Sequence, residues 1–180
     1  MTTRLLFATV EVTSQVFYRS SLSYAVVNLK PIVPGHVLVI PNRVVTRLTD
    51  LTEPELSCLM RSVQTVGRVI ERAYGADGLT IACQDGKAAG QSMPHVHFHL
   101  LPRKLQGDRF ADRNDEIYPE LENAEGDIPK EYLRHKLEGA SQVEPQPLKV
   151  DADEDRRPRT TEEMVKEANW LKTFFEGQTV

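Results

Sequence analysis

Three histidines at two-residue spacing, His95, His97 and His99, are the residues of this chain whose type and pattern could do chemistry. The chain has five histidines, and three of them stand in the run HVHFHLL. On a β-strand successive side chains alternate between faces, so positions i, i+2 and i+4 point the same way. The spacing therefore predicts three imidazoles on one face of a strand, with Val96, Phe98 and Leu100 in the opposite layer. Ahead of the row lies a polar, glycine-containing loop, Asp85 to Pro94, that carries Gln91 and Ser92. Neutral imidazole, with an ordinary pKa of about 6.5, is a nucleophile near neutral pH. If one ring nitrogen attacks phosphorus, the other must keep its proton on an acceptor, which fixes the tautomer. Flanking imidazoles, Gln91, Ser92 and loop N–H groups could hold the nonbridging oxygens and the developing charge. Opening of the histidine–phosphorus bond by water would complete a hydrolysis.

A metal site is the chief rival. Zinc takes donors at about 2.1 Å, whereas residues four apart on a strand have Cα atoms roughly 13 Å apart. The pairs His95/His97 or His97/His99 could share an ion, but gathering all three would strain the strand. No Cys, Asp or Glu follows at ligand spacing, and no protein-held metal is expected. Three histidines serving only as core would leave too many ring nitrogens to satisfy.

The surrounding elements have to position this row. LSYAVVN (22–28) and HVLVI (36–40) read as strands, and the Pro34-Gly35 turn between them punctuates an antiparallel connection. A weaker strand lies between Leu5 and Phe17. Thr52 to Tyr74 is the clearest helix, with a Thr52/Glu55 capping box, Pro54 in the first turn and Gly75 as the stop. Leu56, Leu59, Met60, Val63, Val66, Gly67 and Ile70 form its apolar face, fit to cover one side of a sheet. LTIACQ (79–84) is a strand antiparallel to the histidine strand, which runs to about Leu101 and so brings Gln84 near the histidine face.

Residues 1–104 thus read as the catalytic core. From 105 to 159 charged and turn-forming residues dominate, with prolines at 119, 129, 145, 147 and 158, and this stretch reads as a mobile charged linker. A second capping box, Thr160 with Glu163, opens a helix over 160–177 whose stripe Met164, Ala168, Leu171 and Phe175 should dock on the core or on a partner subunit. Trp170, the only tryptophan, is assigned to packing. At 180 residues and 40% hydrophobic the chain can bury one substantial core. A net charge of −4 gives no general attraction to nucleic acid or membrane. Cys58 and Cys83 form no spaced pattern and read as reduced core thiols. With no signal-peptide h-region and no 18-residue apolar run, the expectation is a cytoplasmic protein that could also enter the nucleus.

HVHFHLL is similar to the signature of the histidine triad nucleotide hydrolases and transferases, His-x-His-x-His followed by apolar residues. NLKPIVPGHVLVIP (28–41), QDGKAAGQSMPHVHFHLLPR (84–103) and NDEIYPELE (114–122) resemble the fragile histidine triad branch, the bis(5′-adenosyl)-polyphosphatases. Within that branch the chain most resembles the fungal hydrolases of diadenosine tri- and tetraphosphate, which share a Pro before the first His and a long acidic tail. The resemblance covers most of residues 5–122 and 158–176. It implies an α+β, HIT-like fold whose antiparallel sheets pair across a homodimer. It also implies asymmetric cleavage to AMP plus ADP or ATP through a nucleotidyl-histidine.

By the same resemblance His97 is the nucleophile, flanked by His95 and by His99, which contacts the α-phosphate. His36 supports the active-site face and Asn28 binds ribose. Gln84, Gly90, Gln91, Ser92 and Met93 contact the nucleotide, with Gln84 and Ser92 near the bridging oxygen. Histidine at 99, where the transferase branch usually has glutamine, favours water as final acceptor. No tightly bound cofactor is implied; Mg²⁺ or Mn²⁺ would accompany the polyphosphate. The phosphoramidase branch shares the triad but lacks the tail containing Tyr118, a modification site in some relatives. A nucleotide-bound signalling module with slow turnover is the alternative from outside the enzymes. The strand-break-repair branch is disfavoured because no zinc-finger Cys/His pairs follow. The stretch 138–158 has no clear counterpart in the shorter animal proteins.

Overall fold

The structure, a computed structural model, describes residues 4–123 and 158–175. Five strands form one antiparallel sheet in the order β3-β4-β5-β7-β6: β3 Val16–Arg19, β4 Ser23–Val27, β5 Val37–Pro41, β6 Gly78–Ala82 and β7 Phe98–Arg103. The expected weak strand between Leu5 and Phe17 resolves into a small hairpin, β1 Leu6–Phe7 with β2 Val10–Glu11, followed by a 3₁₀ turn and the start of β3. β4 and β5 pair in unbroken register from Ser23↔Pro41 to Val27↔Val37. The α+β class expected from the sequence is present, with one long helix and a C-terminal helix on the sheet.

The long helix spans Glu53–Tyr74 and begins and ends where its punctuation dictates. Thr52 N–H and Oγ1–H both donate to the Glu55 carboxylate at 2.9 Å. Arg43 adds two charge-assisted bonds to the same carboxylate, which together hold its pKa down at about 2. Gly75 closes the helix at φ 58°, the left-handed C-cap geometry that favours glycine. The helix packs across β4, β5, β7 and β6. Gly67 permits the approach: a Cβ there would sit 2.8 Å from Leu79 Cδ1, with Leu100 next nearest. Leu100 therefore belongs to the helix-covered face, and His99, one residue earlier on the same strand, belongs to the other.

Two residues of the expected apolar face are not covered. Leu56 and Met60 are 41% and 43% exposed, because the buried arc turns instead through Ser62 and Val69. Met60 shares an open apolar groove with Val63, Leu79 and Ile81, and Ile81 is itself half exposed. Cys58 and Cys83 form no disulfide and are half-buried rather than core residues.

The core does not stop at residue 104. Phe110, Ile117 and Leu121 form a second apolar cluster with Ile32, Val33 and Leu101, on the sheet face that carries His99. Arg103 fastens this segment by bonding Asp108, Thr80 and Asn114. Residues 105–123 are thus built into the domain, and residues 124–157 of the expected linker, with them all but the last residue of the 138–158 stretch, lie outside the described residues. The C-terminal helix spans Thr161–Lys172, and its expected final turn to 177 lies partly outside the described residues. Thr160 and Glu163 form the reciprocal capping box. Met164, Ala168 and Leu171 are buried against β3, the 3₁₀ turn and β4, and Phe175 packs on Phe17 and Tyr18. Trp170 packs edge-on against Tyr74 and Phe174 while remaining 41% exposed. No helix among the described residues is long and apolar enough to cross a membrane.

The turn between β4 and β5 contains the tightest glycine. Gly35 has φ 81°, and a Cβ there would lie 2.5 Å from the Tyr74 ring. Gly35→Ala combines a strained backbone with a ring collision and should destabilise the fold by about 2–4 kcal/mol. Urea unfolding should show a lower midpoint at unchanged m-value.

Candidate active site

The strand expected to begin at His95 begins at Phe98, so His99 alone of the three histidines is in regular β structure. The chain turns at Met93–His95, where His95 N–H reaches back to Met93 O at 2.7 Å, and Val96 N–H bonds Val45 O outside the ladder. Strict alternation does not order the row; specific hydrogen bonds do. The rings still gather. His97 and His99 have centroids 4.9 Å apart, and Phe7 from the β1–β2 hairpin packs on both His95 and His97 at 5.9 and 5.0 Å. His95, His97, His99 and His36 are all buried.

Each ring's proton is placed by its neighbours. Ala8 N–H donates to His95 Nδ1 at 3.1 Å, so Nδ1 carries a lone pair. His95 Nε2 must then hold the proton, which it donates to Pro41 O at 2.9 Å and toward Arg43 O. Both nitrogens of His95 are engaged by backbone, which makes it an anchor of the row. His97 Nδ1 lies 2.7 Å from His95 O; a carbonyl only accepts, so Nδ1 carries the proton and the lone pair is on Nε2. Ile32 N–H donates to His36 Nδ1 at 3.2 Å, so His36 donates from Nε2 to His99 Nδ1 at 2.9 Å. His99 then carries its proton on Nε2. The site combines an imidazole with a nucleophilic Nε2 and a neighbouring imidazole with an Nε2–H donor, a pair suited to attack on phosphorus and to holding its oxygens.

The remaining expected residues divide into three groups. Asn28 is buried and its amide nitrogen lies 3.1 and 3.3 Å from the two ring nitrogens of His36, so it stands beside the His36–His99 pair. Gln84 and Gly90 lie together, since a Cβ on Gly90 would meet Gln84 Nε2 at 2.9 Å. Gln84 Oε1 is buried with no partner among the described residues, an acceptor that a bound donor would satisfy. Gln91 donates to Thr46 O at 2.8 Å and, with Ser92, is half-buried in the loop. The Met93 side chain is taken up by the core, so only its backbone is placed to meet a ligand.

Four participants carried no signal in the sequence pattern. Phe7 and Ala8 are some ninety positions from the triad, and Ala8 adopts φ 52° to aim its N–H at His95. Arg47 and Asp85 anchor the loop from outside: Asp85 accepts from Leu48 N–H at 2.8 Å and from Arg47 at 3.1 Å. The Arg47 hydrogen bond leads the causes that lower the Asp85 pKa. A Cβ on Gly86 would sit 3.0 Å from the Arg47 guanidinium, so the loop needs a glycine there.

Residues 9–106 match the HIT domain. The chain belongs to the HIT family. A bis(5′-nucleosyl)-tetraphosphatase [asymmetrical] of Schizosaccharomyces pombe is 51% identical over 178 residues, covering 97% of this chain and 96% of that protein. A bifunctional bis(5′-adenosyl)-triphosphatase/adenylylsulfatase of Arabidopsis thaliana is 43% identical over 162 residues, covering 90% and 78% of the two chains. Among solved structures, the C. elegans NitFhit protein superposes with a TM-score of 0.67 at 32% identity; the match takes in 97% of this HIT chain and only 31% of that longer one. The fold is also shared with the Plasmodium falciparum diadenosine triphosphate hydrolase, TM-score 0.68 at 23% identity, over 98% and 87% of the chains.

Burial, and next to it the nearby His97, push the His95 pKa down from 6.5 to about 4 despite its carbonyl partners. Between these values the unfolded chain binds a proton that the folded protein refuses. The stability held by neutral His95 is complete above pH 6.5 and is lost as pH falls toward 4, on the order of 3 kcal/mol in all. Chemical denaturation across this window should show stability rising with pH. His95→Gln, which keeps one donor and one acceptor, should flatten that slope.

Proposed function

We infer that this HIT protein hydrolyses dinucleoside polyphosphates, cleaving diadenosine tri- or tetraphosphate asymmetrically to AMP plus ADP or ATP. One observation carries the mechanism: the bond from His97 Nδ1 to His95 O, which leaves the lone pair of His97 on Nε2. The relatives at 51% and 43% identity bear the names of asymmetrical tetraphosphatase and triphosphatase, and they align over most of the chain. Attack of Nε2 on the α-phosphorus forms an N–P bond and expels ADP or ATP, a weakly basic leaving group that needs little protonation. Water then attacks the same phosphorus from the vacated side, the N–P bond breaks, and AMP leaves. His99 Nε2–H donates to the nonbridging oxygens throughout, and His36 holds its tautomer. Asn28 takes the ribose, and Gln84, Gly90, Gln91, Ser92 and the Met93 backbone surround the nucleotide. Mg²⁺ or Mn²⁺ travels with the polyphosphate as its counter-ion.

Two in-line steps give two inversions. Hydrolysis of a P-chiral thio-substituted dinucleotide should proceed with net retention, and a single inversion would rule out the intermediate. His97→Asn should lower turnover by several orders of magnitude while leaving substrate binding largely intact. Chromatography of products from labelled water should place the label on AMP.

The working unit is a homodimer. β6 is an edge strand, uncharged and free of proline, and it carries exposed Ile81 beside the Met60 groove. Such an edge invites pairing with another strand, and a second copy related by a two-fold axis extends both sheets into one. The net charge of −4 argues against nucleic acid or membrane as partner, and the cytoplasm or nucleus is the compartment. Sedimentation of the wild type at micromolar concentration should give a dimer, and Ile81→Asp should give a monomer. A monomeric wild type would overturn this arrangement.

A further inference from the structure

The C-terminal helix does more than cover the edge of the sheet. Just before it, Arg159 donates from Nε to the backbone oxygen of Asn28 at 3.0 Å, and its Nη2 bonds the same oxygen. The Arg159 backbone N–H donates to Leu29 O at 2.9 Å. Arg159 Nη1 pairs with Glu167 on the helix, and the other oxygen of Glu167 accepts from the Tyr74 hydroxyl. Burial first, and then the Glu167 carboxylate, push the Tyr74 pKa upward and keep its proton in place. The Tyr74 ring in turn lies against Gly35.

One carboxylate, Glu167, therefore organises two groups that grip opposite ends of the turn from Asn28 to His36. Within that turn Asn28 N–H bonds His36 O at 3.2 Å, and the Asn28 side-chain amide lies against the His36 ring, 3.1 and 3.3 Å from its nitrogens. His36 passes the constraint to His99 at 2.9 Å. Docking the helix does not require this arrangement, since Met164, Ala168 and Leu171 already bury an apolar stripe. Arg159 and Glu167 are less than one-fifth exposed, and a charge pair so placed has a desolvation cost that apolar side chains would avoid. Its distinctive product is a fixed Asn28 peptide.

We propose that Arg159 is a positioning residue for the nucleotide: through the Asn28 carbonyl it sets the Asn28 amide and the His36–His99 pair in the geometry that binds substrate. This rests on the reading of Asn28 and His36 as substrate-side groups. Among the described residues the polar partners of Arg159 are Asn28, Leu29 and Glu167, so it acts on binding rather than on the bond-making step. The C-terminal segment thereby becomes part of the determinant of affinity.

The test uses the full chain and five proteins: wild type, Arg159→Ala, Arg159→Lys, Asn28→Ala and the double variant Arg159→Ala/Asn28→Ala. Each is assayed for kcat and KM on diadenosine tetraphosphate, for inhibition by AMP, and for melting temperature. Arg159→Ala should raise KM and the AMP inhibition constant together by about tenfold, with kcat within about threefold of wild type. Arg159→Lys, with one donor head that cannot serve Asn28 and Glu167 together, should fall between them. In the Asn28→Ala background the same change should raise KM less than about twofold, because the group being positioned is gone. A lowered melting temperature with unchanged KM, or full additivity in the double variant, would reduce Arg159 to a tether and overturn the proposal. If Asn28→Ala itself leaves KM unchanged, the assignment of Asn28 to substrate fails and the proposal with it. Should Arg159→Ala not fold, Glu167→Gln loosens the same guanidinium while keeping the apolar stripe. KM must then rise, and an unchanged value would overturn the proposal equally.

Discussion

The bond between His97 Nδ1 and the His95 carbonyl is the constraint on which the site depends. For that carbonyl to face the next-but-one ring, the chain must leave the sheet before His97, and the turn at Met93–His95 accomplishes this. The turn needs its own anchor, and the His95 ring supplies it by spanning Ala8 N–H on one side and Pro41 O on the other. Ala8 reaches that position only in a left-handed conformation at the tip of the small hairpin. The end of β5 is held in turn by Arg43, whose carbonyl meets His95 and whose guanidinium caps the long helix through Glu55. Helix start, the end of β5 and hairpin thus converge on one carbonyl oxygen. Backbone groups and other imidazoles define the tautomers of the row.

Local punctuation was legible in the sequence, and long-range consequence was not. Thr52, Glu55 and Gly75 mark the long helix because capping is decided within four residues. The antiparallel β4–β5 pair followed from a connection with turn residues, and the β6–β7 pair from two strand-like runs joined by the polar loop. The two-residue spacing of the histidines singled out the row, yet only His99 owes its direction to a strand. Leu56 and Met60 have the spacing of core residues, but spacing cannot say how wide an arc the sheet will cover. Residues 105–123 are rich in charge and still supply Phe110, Ile117 and Leu121 to a cluster, because three apolar side chains suffice when a ready surface of Ile32, Val33 and Leu101 waits for them. Phe7, Ala8 and Arg159 join the site from distant parts of the chain, where no periodicity could point to them.

The order of the strands carries a consequence for assembly. β7 is the last strand among the described residues yet lies between β5 and β6. Until it inserts, β6 has no hydrogen-bonded neighbour and the β3-β4-β5 meander ends in an open edge at β5. The sheet is completed only when the segment carrying His99 takes its place, a pairing of distant residues that is costly in chain entropy and slow to form. Structural completion and assembly of the imidazole row are therefore a single event. A chain interrupted before residue 98 leaves two sticky edges rather than an incomplete but closed fold, and quality control that senses exposed strand edges would report indirectly on whether the setting of the imidazole row exists.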